Sequence, residues 1–566
     1  MINTDDKIKG KLPYVIFWLT AIIVLFSYLG VKEIWGPEDR WAEISREMLQ
    51  SGDYFHPTIN GEPYFDKPLL SYWLIVATAK VTGRMDEWTL RFPSVIAGLL
   101  ALWGTIKLGQ KLFSERAGLT AGWVLLGTYG FIFWARTGEA DMENLAAIVL
   151  AVLWYWMRRD KPGFVSYLVF YLICFVGAHT KGMATIAVPM VIVLPDLLRE
   201  KRWVKYLSVS NFLALGIGLA IYFVPFIYAD NTNADYPSTG LRLAIKENIT
   251  RYFKPYDHKE PFWVYFYYLP RLFFPWTILL VGALWTCCEN FKKLDWPTKW
   301  ILIANIMVFM FFTLSGSRRQ YYILPILPFC GLLVSQYLTV ELKEKSKQTF
   351  INIQNGVLTF ILIAEMHSPL IWPVLEKRSG FVAPTELKWM TFIIGALALG
   401  VLILNRYRPG AGARITGTQQ PLAKPVILSV ILIGGFFAFQ QKPIDSFRTL
   451  KDFSIEAKVL SEEQTDGNVV VFGGLSGKML FHMEATEKVP NIINETEMQE
   501  FLDNTDKTWL VISSSYYYKP LEYILPEGMF TKPVLREKVH DWEKEGNDWK
   551  TDGKEKNRAW IVNSKK

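Results

Sequence analysis

The sequence predicts a polytopic α-helical membrane protein with a small α/β part at its C-terminal end. Three observations predict it. Apolar runs recur from residue 14 to residue 440, most of them near the ~20 residues that a bilayer-spanning helix needs. Every second connection between those runs is basic. Beyond residue 440 the composition turns to charged and apolar stretches in alternation.

About thirteen candidate spans lie near 14–31, 91–108, 117–134, 143–157, 164–179, 183–198, 207–229, 263–287, 299–315, 321–339, 350–374, 389–405 and 424–440. Hydrophobic residues make up 51% of 566, and the mean hydropathy is +0.17. The 22 Trp and 26 Tyr suit interfacial aromatic belts. The first run has no small-residue cleavage site before it ends, so an uncleaved first span is expected. Cys174, Cys287, Cys288 and Cys330 lie in or beside apolar runs without metal or redox spacing, and read as small core residues.

The net charge of +8 is placed by the connections. The N-terminal tail carries Lys7, Lys9 and Lys11. Alternate loops then carry Lys107, Lys111 and Arg116; Arg158, Arg159 and Lys161; Arg199, Lys201, Arg202 and Lys205; Lys292, Lys293 and Lys299; Lys343, Lys345 and Lys347; and Arg406, Arg408, Arg414 and Lys424. Basic loops stay cytoplasmic. The charge therefore marks topology, with a cytoplasmic N-terminus, and no nucleic-acid partner is expected.

The remaining loops face outward. The first, 32–90, contains the helical pattern WAEISREML and the extended-looking NGEPYFDKP; the other long one is 230–262. Residues 1–440 form the membrane module and 441–566 an outward α/β domain, with strands expected at VVVF (469–472), WLVI (509–512) and AWIV (559–562). No nucleotide-binding glycine fingerprint and no internal repeat is found.

Unexpected polar residues gather on the outward face. Glu38, Asp39, Arg40, Asp66 and Lys67 stand in the first outward loop. Glu139, Asp141 and Glu143 follow in the second, His179 and Lys181 in the third, His258 in the fourth, and Arg318, Arg319, Tyr321 and Tyr322 in the fifth. Each group has an ordinary explanation: Glu38 and Asp39 as a helix cap, Lys181 as an interfacial anchor, Arg318, Arg319 and His258 as loop residues. Together they point to a site, because charge at that depth is costly unless paired or functional. Cations beside carboxylates at a lipid–water boundary suit an anionic lipid substrate. The cations stabilise a departing phosphate, and a carboxylate activates or orients the attacking group.

Several motifs resemble, in order, the bacterial aminoarabinose (4-amino-4-deoxy-L-arabinose) lipid A transferases, relatives of the protein O-mannosyltransferases among the GT-C glycosyltransferases. They are WAEISREMLQSGDY, GEPYFDKPLLSYW, AHTKGMATIAVP, ENITRYFKPYDHKEPFWVY and RRQYYILP, within about residues 14–340. The resemblance implies a GT-C fold of about thirteen helices. It also implies sugar transfer from a polyprenyl-phosphate donor to lipid A, another glycolipid or a protein hydroxyl at the periplasmic face of the inner membrane. It implies donor-phosphate roles for Arg40, Lys67, Lys181, Arg318 and Tyr322, a substrate-pocket role for Tyr64, and catalytic roles for Asp141 and for Glu38 or Asp39. Arg318 stands where the family has lysine. Asp66 replaces a glutamate that, with a histidine, is associated with a metal in some members, so Asp66 and His258 are the metal candidates; the cofactor otherwise stays open. Where the family reads Asp-Glu-x-Arg-Tyr, this chain reads Pro37-Glu38-Asp39-Arg40-Trp41. The displaced acid bears on the acceptor, since a phosphate acceptor needs no deprotonation and a hydroxyl does.

A membrane-bound glycosyltransferase acting as a monomer on a lipid-linked donor and a lipid or glycan acceptor is therefore expected. A protein O-glycosyltransferase of the same fold and a polyprenyl-linked glycan transporter or flippase are the alternatives. Transporters often carry repeated halves and mid-membrane sites, whereas the polar groups here sit at one face.

Overall fold

The computed structural model describes residues 8, 10–199, 201–232, 259–339, 344–379, 383–408, 410–418, 420–445, 448–514, 517–537 and 557–563. They form two compact units. The first comprises Met1–Leu29, Phe65–Pro369 and Trp389–Gln441; the second comprises Gly30–Tyr64, Leu370–Lys388 and Lys442–Lys566.

The first unit is helical. Among the described residues of the chain, eight helical stretches are long and apolar enough to cross a membrane, and up to ten if each of two bent pairs is one span. The thirteen apolar runs all fall on helices, yet not all pass that test. The run at 14–31 falls on Leu12–Phe26, only 15 residues long. The run at 143–157 falls on Asp141–Arg158, whose 18 residues include Asp141, Glu143 and Arg158. The run at 183–198 falls on the 16-residue helix Ala184–Arg199. An apolar helix at Leu70–Thr82 has no counterpart among the sequence spans.

Both broken spans follow a physical rule: backbone groups freed in an apolar medium must find partners. Glu115–Leu126 and Tyr129–Ala135 meet at 70°, and Val264–Leu272 and Thr277–Glu289 at 117°. The two breaks serve each other. The Tyr129 N–H donates to the Phe274 carbonyl at 2.9 Å, and Trp276 Nε1 donates to the Gly127 carbonyl at 3.2 Å. Close helix approach uses small residues, as membrane packing favours. A Cβ on Gly109 would lie 2.7 Å from the Gly118 Cα.

The second unit begins with the helix Glu38–Ser51, which ends at Gly52 in the left-handed conformation (φ +75°). A hairpin follows, β1 (Thr58–Ile59) and β2 (Glu62–Pro63), turning at Asn60 and Gly61, both with positive φ. An Asn-Gly pair is the preferred chemistry for such a turn. The C-terminal residues hold β3 (Val469–Phe472), β4 (Asn491–Ile492), β5 (Thr508–Ser514), β6 (Leu535–Arg536) and β7 (Asn557–Asn563), in the order β4-β3-β5-β7-β6. β3 is parallel to β4 and β5; β7 is antiparallel to β5 and β6. The VVVF, WLVI and AWIV stretches lie in β3, β5 and β7. All four residues of β3 are buried, as suits a strand covered on both faces. Val469 and Val471 pack with Phe453 and Ala457 of the helix Leu450–Gln464. Val470 and Phe472 pack with Met498 and Leu502 of the helix Glu495–Asp503.

Candidate active site

Asp141 opens its helix, and Lys181 closes the helix Phe164–Lys181. An acid at a helix N-terminus and a cation at a C-terminus both suit the helix dipole. Gly182 follows at φ +125°, a backbone state that glycine adopts without the penalty a side chain brings. The chain turns there and re-enters a helix at Ala184. Thr185 Oγ1 donates to Asn144 Oδ1 at 2.5 Å, and Ser71 Oγ donates to the Thr180 carbonyl at 3.4 Å, which fixes the turn.

Here Lys181 Nζ donates to Asp141 Oδ1 in an ion pair. Both side chains are largely buried, 16% and 5% exposed. The ammonium also lies 4.6 Å from the ring centre of Tyr321 and 5.3 Å from that of Tyr322, within cation–π range. Glu139 attracts the Lys181 ammonium and Lys67 repels it. Ser94 Oγ donates to the Glu139 carbonyl at 3.0 Å and reaches Glu143 Oε1 at 3.4 Å. Residues from three other motifs thus surround the Lys181 ammonium.

The other candidates of this unit are engaged differently. Lys67 Nζ donates to the Asp66 carbonyl at 3.0 Å and pairs with its carboxylate at 3.5 Å. Arg318 donates from Nε to the Thr313 carbonyl at 3.1 Å and from Nη1 to the Glu260 carbonyl at 2.7 Å. Arg319, not Arg318, reaches the aromatic pair, donating to the Tyr321 hydroxyl at 3.0 Å. Tyr321 and Arg319 are the members that sequence reasoning left without a role. The doubled RRQYY motif is the sequence signal that marks both.

Of the two metal candidates, Asp66 is ion-paired to Lys67, and His258 lies outside the described residues. Among the described residues no group of three His, Cys, Asp or Glu side chains could hold a metal ion.

In the second unit, Pro37 occupies the position before the helix Glu38–Ser51 with helical backbone (φ −70°). Pro37 itself offers no side-chain cap. Glu38 is fully buried, and its Oε2 accepts from the Trp35 N–H at 2.9 Å. Asp39 Oδ1 accepts from the Arg40 N–H at 2.7 Å. Burial raises the Asp39 carboxyl above its ordinary range, against the opposing pull of the Arg40 N–H and the Arg40 and Lys478 charges. Arg40 Nη1 donates to the Tyr64 hydroxyl at 3.3 Å. Gly477 admits this arrangement, since a Cβ there would stand 3.1 Å from the Asp39 carbonyl oxygen. Farther along, Glu43 is fully buried and holds Arg46 at 2.9 and 2.7 Å.

Residues 66–228 match the family described as dolichyl-phosphate-mannose-protein mannosyltransferase. The undecaprenyl phosphate-α-4-amino-4-deoxy-L-arabinose arabinosyl transferase 2 of Proteus mirabilis is 27% identical over 413 residues, covering 71% of this chain and 72% of that protein. The corresponding transferase of Pectobacterium atrosepticum is 28% identical over 429 residues, covering 70% and 68%. The crystal structure of ArnT from Cupriavidus metallidurans bound to undecaprenyl phosphate superposes with a TM-score of 0.75 at 19% identity, covering 98% of each chain. That last likeness concerns the fold. In its ordered motifs and over about 70% of its length the chain is thus similar to the aminoarabinose transferases, and in fold to ArnT.

Proposed function

We propose that the protein moves a sugar from a polyprenyl-phosphate donor to lipid A or another glycolipid at the periplasmic face of the bacterial inner membrane. The observation that carries this is the Asp141–Lys181 pair, set against Tyr321 and Tyr322 with Lys67 in electrostatic reach. The acceptor oxygen, an anionic lipid A phosphate or a glycolipid hydroxyl that yields its proton to a site carboxylate, attacks the anomeric carbon, and the bond from that carbon to the donor phosphate oxygen breaks. The polyprenyl phosphate leaves with the electron pair, and the configuration inverts. Lys181 and Lys67 stabilise the charge on the leaving phosphate. Asp141 holds the Lys181 ammonium in place, which removes the reorganisation that a free lysine would need.

Asp39 is the acid that takes the displaced family role, because the Glu38 carboxylate is buried and committed to the Trp35 N–H. Arg40 and Tyr64 position substrate beside it. The reading includes about thirteen spans, an outward C-terminal α/β part and a monomer. The mannosyltransferase match supports protein hydroxyls as the second acceptor class.

The test is mass spectrometry of lipid A, surface glycolipids and secreted proteins from cells with and without the gene. A sugar increment on lipid A or a glycolipid, lost on deletion and not restored by Lys67→Ala or Asp141→Ala, is expected. An increment restored in full by both variants would reject the site.

A further inference from the structure

The 18-residue helix that begins at Asp141 ends at Arg158, roughly 26 Å away at 1.5 Å per residue. Its far end is organised around another buried acid. Asp196 is 1% exposed and accepts from the Tyr155 hydroxyl at 2.7 Å, Arg159 Nη1 at 2.8 Å and Trp296 Nε1 at 2.7 Å. Arg202 Nε stands 3.9 Å from the same carboxylate. Three basic connections are thereby drawn to one point.

The cations outnumber the acids there. Residues 158–161 and 196–205 together hold seven cations and three acids (Asp160, Asp196 and Glu200), a net charge of +4; Glu200 lies outside the described residues. Arg158, Arg199, Lys201 and Lys205 are exposed. Arg199 stacks over Trp296 at 4.4 Å and Arg158 lies over Trp154 at 5.3 Å. The apolar side chains of Trp203, Val204 and Leu207 are exposed beside them, at 44%, 53% and 62%. Exposed cations mounted on indoles, next to exposed apolar residues, match a phosphodiester headgroup with its acyl chains alongside.

We infer that this cluster is a binding site for the headgroup of an anionic phospholipid, in the leaflet opposite the candidate active site. The buried Asp196 acts as its organiser. It is hydrogen-bonded from three side chains and fixes Arg159, while Arg199 and Lys201 face the lipid. Charge complementarity names the occupant, because a zwitterionic headgroup brings no net charge to offset the +4.

The test uses delipidated full-length protein in neutral detergent, titrated with phosphatidylglycerol or phosphatidylcholine and read by native mass spectrometry. Phosphatidylglycerol is expected to bind and phosphatidylcholine not. The double variant Arg199→Gln/Lys201→Gln is expected to weaken phosphatidylglycerol binding about 30-fold, and either single variant about fivefold. The pair Lys107→Gln/Lys111→Gln, on another basic connection, is expected to bind as wild type. Equal binding of the two lipids, or undiminished binding by the Arg199/Lys201 variants, would overturn the inference. An equal loss in the Lys107/Lys111 pair would reduce it to diffuse charge. Retention of polyprenyl phosphate but not phosphatidylglycerol would assign the cluster to the sugar carrier.

Discussion

Lys181→Met strikes the pair on which the proposed chemistry depends. It leaves the Asp141 carboxylate, 5% exposed, without its ammonium. Removing one partner of a buried ion pair costs about 3–5 kcal/mol. Asp141→Asn strands the ammonium instead and carries a similar cost. The double variant Asp141→Asn/Lys181→Met buries no unpaired charge, so its loss is expected to fall short of the sum of the singles by at least about 2 kcal/mol. Turnover behaves differently. Removing one preorganised group that stabilises developing charge costs about 10²–10³ in rate, and the double variant recovers none of it. The assay pairs thermal unfolding in detergent with release of labelled polyprenyl phosphate. A double variant that is well folded and inactive is the expected result. A double variant that turns over within tenfold of wild type, or singles whose stability losses simply add, would refute the reasoning.

Three further outcomes follow from the second unit and the helix ends. Glu43 is pushed up to about 7 by burial, against its usual 4.5. The folded protein therefore holds that proton over a window in which the unfolded chain has lost it, and stability falls as pH rises from about 4.5 through 7, by at most about 3 kcal/mol. Glu43→Gln is expected to flatten the dependence of Tm on pH across that window. Glu38→Gln keeps an oxygen for the Trp35 N–H and is expected to leave turnover within a few-fold, whereas Asp39→Asn is expected to lower it at least tenfold; kinetics on the two purified variants decide it. Arg136 donates to the carbonyls of Val24 at 2.7 Å, Leu25 at 3.0 Å and Ser27 at 2.6 Å, where the helix Leu12–Phe26 ends. Arg136→Ala strands these groups at about 1–3 kcal/mol each before relaxation and should lower Tm by several degrees, with only partial rescue by lysine, which lacks the fork.

The sequence carried local pattern well. Hydropathy located the helices because a span must be apolar along its length; WAEISREML announced its element by periodicity, and VVVF by a short β-branched apolar run. The helix Leu70–Thr82 escaped because its 13 residues fall short of a span. Hydropathy is also blind to direction, so the 70° and 117° breaks were not legible. At the site, Asp141 and Lys181 were each singled out, yet their pairing depends on two helices that bring a start and an end together 40 residues apart. The engagement of Arg318 by the Thr313 and Glu260 carbonyls, and the burial of Glu38, depend on which backbone lies alongside. No pattern within one segment encodes that.

The central claim is that a glycosidic bond is moved, not merely a lipid. Purified protein is reconstituted in liposomes with lipid A and a polyprenyl-phosphate sugar labelled in both the sugar and the lipid. Label is expected on lipid A with one polyprenyl phosphate released for each sugar transferred, and both are expected to be lost in Lys67→Ala. Labelled donor that crosses the bilayer intact, with no label on lipid A, glycolipid or protein, would contradict it.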